Sequence, residues 1–473
     1  MENKNTWELL NEKQLKEAEA LSKEYMDFLD NGKTERECVD TIVNMIEKEG
    51  YKELETLIKS GTKLKKGDKV YAVCMNKAVA MFQIGSRPFT DGMNILGAHI
   101  DSPRLDVKQN PLFEEGGFAY LDTHYYGGVK KYQWVTIPLA LHGVMIKKDG
   151  TCVEINIGEE EDDPVFFISD LLIHLAAEQL DKKAAKVIEG EALDLIIGNK
   201  PLVINNAENK EEEKKEAGKE AVKKGVLAIL KEMYDVEEED FLSAELEVVP
   251  AGKAREAGLD RSMILAYGQD DRVCAFTSVK AMLDTKKTDR TACCILVDKE
   301  EIGSVGATGM ESRFFENTVA EVMNLAGEYS ELNVRRCLAA SCMLSSDVSA
   351  GFDPSYAASF EKKNTAFLGN GMVFNKFTGV RGKSGSNDAN AEYIAHIRSV
   401  FEKESINFQT AELGKVDAGG GGTIAYILAL YGMNVIDSGV AVLNMHAPWE
   451  ATSKADVYET KRGYEAFLKH ADL

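Results

Sequence analysis

The sequence predicts an α/β protein, a mixed central sheet with helices on both faces, interrupted by an inserted β-rich domain. Three observations predict it. Strand and helix signals occur in both terminal parts of the chain, short alternating strands crowd the region between them, and 473 residues exceed one ordinary domain. Residues 1–104 and 258–473 are assigned to the α/β part, and 105–257 to the insertion.

The first sixty residues read as helices. Thr34 and Glu37 are spaced as a capping box, and Cys38, Ile42, Val43, Met45 and Ile46 follow as an apolar stripe at helical spacing. Apolar runs at 69–74, 78–84 and 93–100 read as strands. From 105 to 158 the strands are short and alternating, with Gly-containing turns at 115–117, 126–128 and 148–150. A helix is expected over 166–180, and the charge-rich stretch 208–224 reads as solvated surface. Strand and helix then alternate again: strands at 263–267, 293–298, 337–344 and 435–444, a helix from about Arg272, and a helix over 423–431 after four glycines.

Composition narrows the function. Hydrophobic residues make up 44% of the chain, enough for normal cores, and no apolar run reaches the roughly 18 residues that span a bilayer. The N-terminus lacks the basic start and apolar stretch of a signal peptide, so a cytoplasmic protein is expected. Eight cysteines without a CxxC pair, several in apolar runs, read as buried reduced thiols. A net charge of −22 argues against nucleic acid and anionic membranes as partners.

Five metal-capable side chains sit at or just beyond the ends of apolar strands: His99, Asp270, Glu301, Asp347 and His446. Two histidines and three carboxylates suffice for two divalent ions if one carboxylate bridges. Such mixed nitrogen and oxygen ligands suit Zn²⁺, with Mn²⁺ or Co²⁺ as alternatives. Asp101, two residues beyond His99 on an extended segment, points the same way and can accept from the ring nitrogen His99 does not offer to metal. Glu300 and Glu301 repel each other at a strand end unless a cation or proton intervenes, so one is expected to bind metal and the other to take a proton. Each residue alone has a plainer role: Asp270 or Asp271 could cap a helix, Asp347 a turn, and His446 could be a buried imidazole. Together, two of only seven histidines in matching strand-end positions favour a metal-dependent hydrolase.

On these residues the chain resembles the M18 family of metallo-aminopeptidases, the aspartyl aminopeptidase group of the dinuclear zinc peptidases. The likeness runs through His99-Ile-Asp101-Ser-Pro103, Tyr126-Gly-Gly128, Asp270-Asp271 (Asp where the family has Asn), Glu300-Glu301-Ile-Gly303-Ser304, Asp347, Met445-His446 and Gly419 to Thr423. The resemblance implies a dinuclear zinc peptidase-like fold, with one metal on His99 and Asp347, the other on Glu301 and His446, and Asp270 bridging. It also implies Asp101 as the residue orienting His99, and Glu300 as general base and then general acid. His174 looks like a family histidine that reaches a neighbouring subunit's active site, although its Ser-Asp surroundings depart from the pattern. The insertion would then be a dimerisation domain, in a homo-oligomer built from dimers, up to a dodecamer.

The expected reaction is hydrolysis of the N-terminal peptide bond of peptides. The family is known for acidic N-terminal residues, and Lys376 falls where it carries a pocket lysine, with Arg381 nearby. Such a cation is the local compensation an acidic substrate needs against a field of −22. The alternatives are a neutral-residue preference, a related deacylase or carboxypeptidase, and a non-catalytic scaffold, which has no use for the Glu300-Glu301 pair. Gly419 to Gly422 lacks the Lys-Ser/Thr of a phosphate loop and reads as a flexible turn.

Overall fold

The structure, a computed structural model, describes residues 4–202 and 220–472. It divides into two compact units: Met1–Ser102 with Ala254–Met445 and Trp449–Leu473, and Pro103–Lys253 with His446–Pro448. Among the described residues no helix is long and apolar enough to cross a membrane.

The first unit is built on a nine-stranded mixed sheet. Its centre is four parallel strands in the order Thr291–Val297, Met93–His99, Cys342–Ser346 and Asn434–Gly439. Side chains alternate across a strand, so neighbours in sequence enter opposite cores. Leu96, Cys294, Leu296, Leu344 and Ile436 belong to one buried cluster, while Ile95, Cys293, Ile295, Met343 and Val435 belong to the other. Near-continuous apolar runs are what a sheet covered on both faces requires. The first core is closed by helices that include Glu12–Asp30, Glu35–Lys48, Gln269–Asp284, Ala391–Lys403 and Lys454–His470. The second is closed by Leu54–Ser60, Phe314–Ala326, Glu331–Ala340 and Ala425–Ala429. Thr34 and Glu37 form the reciprocal cap that starts Glu35–Lys48. A separate five-stranded sheet in the same unit carries Glu450–Ser453.

Three expectations fail locally. Residues 337–340 finish a helix before the strand Cys342–Ser346, because Val334, Cys337 and Leu338 fall on one buried helical face. The run 435–444 is two strands in different sheets, parting at Val440. The helix expected at 423–431 covers only Ala425–Ala429, with the Thr423 hydroxyl accepting from the Ala425 amide at its start.

The second unit is a six-stranded sheet with every neighbouring pair antiparallel: Cys152–Ile157, Leu139–Ile146, Ala244–Pro250, Arg104–Glu115, Phe118–Tyr126 and Leu195–Gly198. The helix expected over 166–180 is absent. Phe166 and Phe167 make single bridges to strands, and only short turns follow at Ile173–Leu175 and Ala177–Leu180. Leu171, Leu172, Ile173 and Leu175 are nearly consecutive, so no helix could bury them on one face, and all are exposed. The charged stretch 208–224 lies outside the described residues as far as 219, and Ala221–Tyr234 is helical.

Candidate metal centre

The central parallel strands end together, and their register decides which side chains meet. Val297 pairs with His99 and Ser345 with Gly97, so Asp347, two residues on, is level with His99. Gly439 makes the last step possible: a Cβ there would lie 2.0 Å from the Asp347 carbonyl oxygen. The Asp347 amide donates to the Ser438 carbonyl at 3.0 Å.

His99 is buried with its two nitrogens in different company. Nδ1 is 3.2 Å from Asp101 Oδ1 and 3.0 Å from the Asp101 carbonyl oxygen, while Nε2 is 3.3 Å from Asp270 Oδ1, 3.8 Å from Glu300 Oε2 and 4.0 Å from Asp347 Oδ1. Asp101 also accepts from the Glu300 and Glu301 amides, at 3.2 and 3.1 Å. One buried carboxylate thus ties the histidine segment to the Glu pair, about 200 residues away. The turn Glu300–Ile302 is braced behind by Asp298, which accepts from the Thr308 hydroxyl at 2.6 Å and faces the Lys299 ammonium at 3.1 Å.

Asp270 and Asp271 lie in the distorted first turn of Gln269–Asp284, and neither side chain caps it. Asp270 is held by its backbone: its amide donates to Glu450 Oε2 at 3.0 Å and its carbonyl accepts from the Ser102 hydroxyl at 2.7 Å. Ligand-capable atoms of His99, Glu300 and Asp347 lie within 4.8 Å of one another, as do those of His99, Asp270 and Glu301, and those of Asp270, Asp271 and Asp347. His446 belongs to the second unit, where its Nδ1 is 3.1 Å from the Gly128 carbonyl oxygen. His174 is exposed in that unit, and Lys376 is exposed just beyond the strand Met372–Asn375.

Two residues of this arrangement have no place in it on the sequence reading: Asp271, considered there only as a helix cap and as the family element's Asp-for-Asn, and Glu450, not singled out there. The adjacent pair Asp270-Asp271 carries the same repulsion signal as Glu300-Glu301. Glu450 is an acid in a strand, Glu450–Ser453, that is otherwise small and uncharged.

Electrostatics shows what the cluster fits. Burial, then the charges of Asp270, Glu300 and Asp271, push the Asp347 carboxyl well above the ordinary range; burial likewise raises Asp271 despite the opposing pull of His99. Burial works to discharge His99, but hydrogen bonds to Asp101 and Asp270 outweigh it and raise the imidazole well above its usual value. Five carboxylates around one imidazole cannot all ionise without a cation, and a divalent ion supplies that charge in place of the shared protons. The oxygen and nitrogen donors match zinc.

Asp437, in the strand beside Asp347, is buried too. Burial pushes its carboxyl up to about 7, with the Thr423 hydroxyl at 2.5 Å opposing and the Glu300 charge reinforcing. An unfolded chain releases this proton near 3.8. The stabilisation is therefore complete below that value and is lost as pH rises to about 7, at most about 1.4 kcal/mol per pH unit. Asp437→Asn should flatten this component. At constant zinc, the wild-type urea midpoint should fall more than the variant's between about pH 5 and about pH 7, and parallel curves would assign the pH dependence to other groups.

A mixed sheet covered by helices on both faces, with a histidine–carboxylate cluster at its parallel strand ends, defines an α/β metallohydrolase. The profile of the family described as Aminopeptidase I zinc metalloprotease (M18) matches residues 28–468. The chain belongs to that M18 family, a family of zinc metallo-aminopeptidases. It is 61% identical over 469 residues to the "Probable M18 family aminopeptidase 1" of Clostridium acetobutylicum, covering 99% of this chain and 98% of the relative. The crystal structure of aminopeptidase I from Clostridium acetobutylicum superimposes with a TM-score of 0.91 at 58% identity, covering 99% of both chains. That of the M18 aminopeptidase from Thermotoga maritima gives 0.92 at 44% identity, covering 100% of both. The mApe1 dodecamer of S. cerevisiae, at 20% identity, has a TM-score of 0.75 over 95% of this chain and 96% of its own, and shares the fold.

Proposed function

We propose that this M18 aminopeptidase uses two divalent ions, zinc foremost, to remove acidic residues from the N-termini of peptides. The reading rests above all on His99, whose Nε2 is turned toward Asp270, Glu300 and Asp347 while Nδ1 is held by Asp101. One ion would be held by His99 and Asp347, the other by Glu301 and His446, with Asp270 shared. When bound, the ions supply Lewis acidity, polarising the scissile carbonyl and lowering the pKa of the attacking water.

The chain's own residues do the rest. Asp101 keeps the His99 proton on Nδ1, so that Nε2 presents its lone pair. Glu300 is partly open to solvent, takes a proton from the attacking water and returns it to the leaving amine. The surrounding carboxylates favour the cationic α-amine of a peptide. Lys376 then receives an acidic side chain from the first residue, a local reversal of a field of −22.

His174 would act at the scissile carbonyl of a second copy. The exposed Leu171, Leu172, Ile173 and Leu175 around it are apolar surface that such a contact would cover, in a homo-oligomer built from dimers. Eight cysteines without a disulfide fit a reducing, cytoplasmic setting.

Anilides of Asp, Glu, Leu and Lys, assayed with and without chelator, test the substrate. Asp and Glu should lead by at least tenfold in kcat/KM, with the advantage lost in Lys376→Ala. A preference for Leu or Lys would remove Lys376 from the first pocket.

A further inference from the structure

The chain segments 377–383 and 412–420 enclose a small cavity of about 40 Å³. At roughly 10–15 Å³ per water position, that is room for about three waters, the size of one carboxylate. Arg381, Lys383 and Lys415 line it, with Glu412 as the one acid on its wall, in a chain whose net charge is −22. Lys383 is already engaged, 2.9 Å from Asp388 and 3.8 Å from the Phe377 ring centroid. Among the described residues Arg381 and Lys415 make no ion pair.

Part of the lining is backbone that only glycine can provide. Gly420, at φ +127°, would place a Cβ 2.0 Å from the Gly379 carbonyl oxygen, and Gly419 would place one 1.8 Å from that of Leu413. The Gly379 amide donates to the Gly421 carbonyl at 2.6 Å, locking the two segments together. The glycine run then ends at Thr423, which is bonded to Asp437, and Asp437 lies within reach of the Glu300 charge. The loop that lines this cavity therefore leads back toward the candidate general base.

We propose that this cavity is a carboxylate subsite of the peptide-binding cleft, in which Arg381 and Lys415 take a carboxylate of the bound peptide. Arg381 supplies the planar fork that pairs with two oxygens, and Lys415 a second positive charge. The glycines keep the space open for the anion. The subsite rests on the reading of the metal centre as one that binds peptides, and not on Lys376 or a preference for an acidic first residue. The carboxylate comes from the peptide's C-terminus or from an acidic side chain beyond the scissile bond.

Binding to the zinc-loaded Glu300→Gln protein, followed by calorimetry, separates these sources without turnover. Four peptides serve: Leu-Ala-Ala-amide as the carboxylate-free reference, Leu-Ala-Ala, Leu-Ala-Glu-amide and Asp-Ala-Ala-amide. Adding Arg381→Ala and Lys415→Ala together should weaken Leu-Ala-Ala, Leu-Ala-Glu-amide or both tenfold or more relative to the reference. The peptide affected identifies the source. Both side chains are exposed, so the substitutions leave the core untouched. Equal weakening of all four peptides, weakening of Asp-Ala-Ala-amide alone, or none, overturns the subsite. Hydrolysis of the same peptides by the wild-type protein is read separately, and its absence would count against the peptidase reading alone.

Discussion

Glu300→Gln is expected to lower kcat about 10³-fold while zinc content and thermal stability stay close to wild type. Glutamine fills the same volume and leaves the amide that donates to Asp101, so the turn Glu300–Ile302 should hold its shape. It cannot take up the water proton or hand it to the leaving amine. A thousandfold loss corresponds to about 4 kcal/mol of barrier, within what proton transfer by a positioned carboxylate supplies. The informative comparison is kcat against zinc stoichiometry from elemental analysis. Turnover near wild type would remove Glu300 as base, and loss of zinc would make it a ligand instead.

Asp270→Ala should act far more strongly on the zinc-loaded than on the metal-free protein. With zinc, the variant loses the carboxylate proposed to be shared by both ions, so its metal content after gel filtration should fall to half of wild type or less, and activity with it. Without zinc, the same change removes one charge from a buried cluster whose members raise one another's pKa, as Asp270 does for Asp347 and Asp271. Relief of that repulsion offsets the lost hydrogen bond to His99, so the metal-free variant should stay within about 1 kcal/mol of the metal-free wild type, whereas zinc should raise the wild-type midpoint by far more. Denaturation of both proteins, with zinc and with chelator, gives the four midpoints needed. A full complement of zinc in the variant would refute the bridge.

Much of this molecule is legible locally. The apolar runs around Ile95, Cys293 and Met343 announce strands buried on both faces, and the Thr34–Glu37 spacing announces a helix start. Failures occur where a local signal has two readings. Cys337 and Leu338 are apolar residues before a strand, yet Val334 places them on a helix face. The run 171–175 is apolar apart from His174 but lacks a helical period, so it forms a single short turn whose apolar side chains stay exposed.

By itself the sequence determined the fold class and the strand-end positions of metal-capable side chains, because both follow from residue type and spacing along one strand. Only the tertiary structure decided which of those side chains share a site. That choice depends on strand register, on Asp101 reaching two amides about 200 residues away, and on Glu450 holding the Asp270 amide across 180 residues. Asp271 enters the cluster for the same reason. Its neighbour in sequence is Asp270, but what gives its charge meaning is burial beside Asp347, and burial is a property of the packed chain.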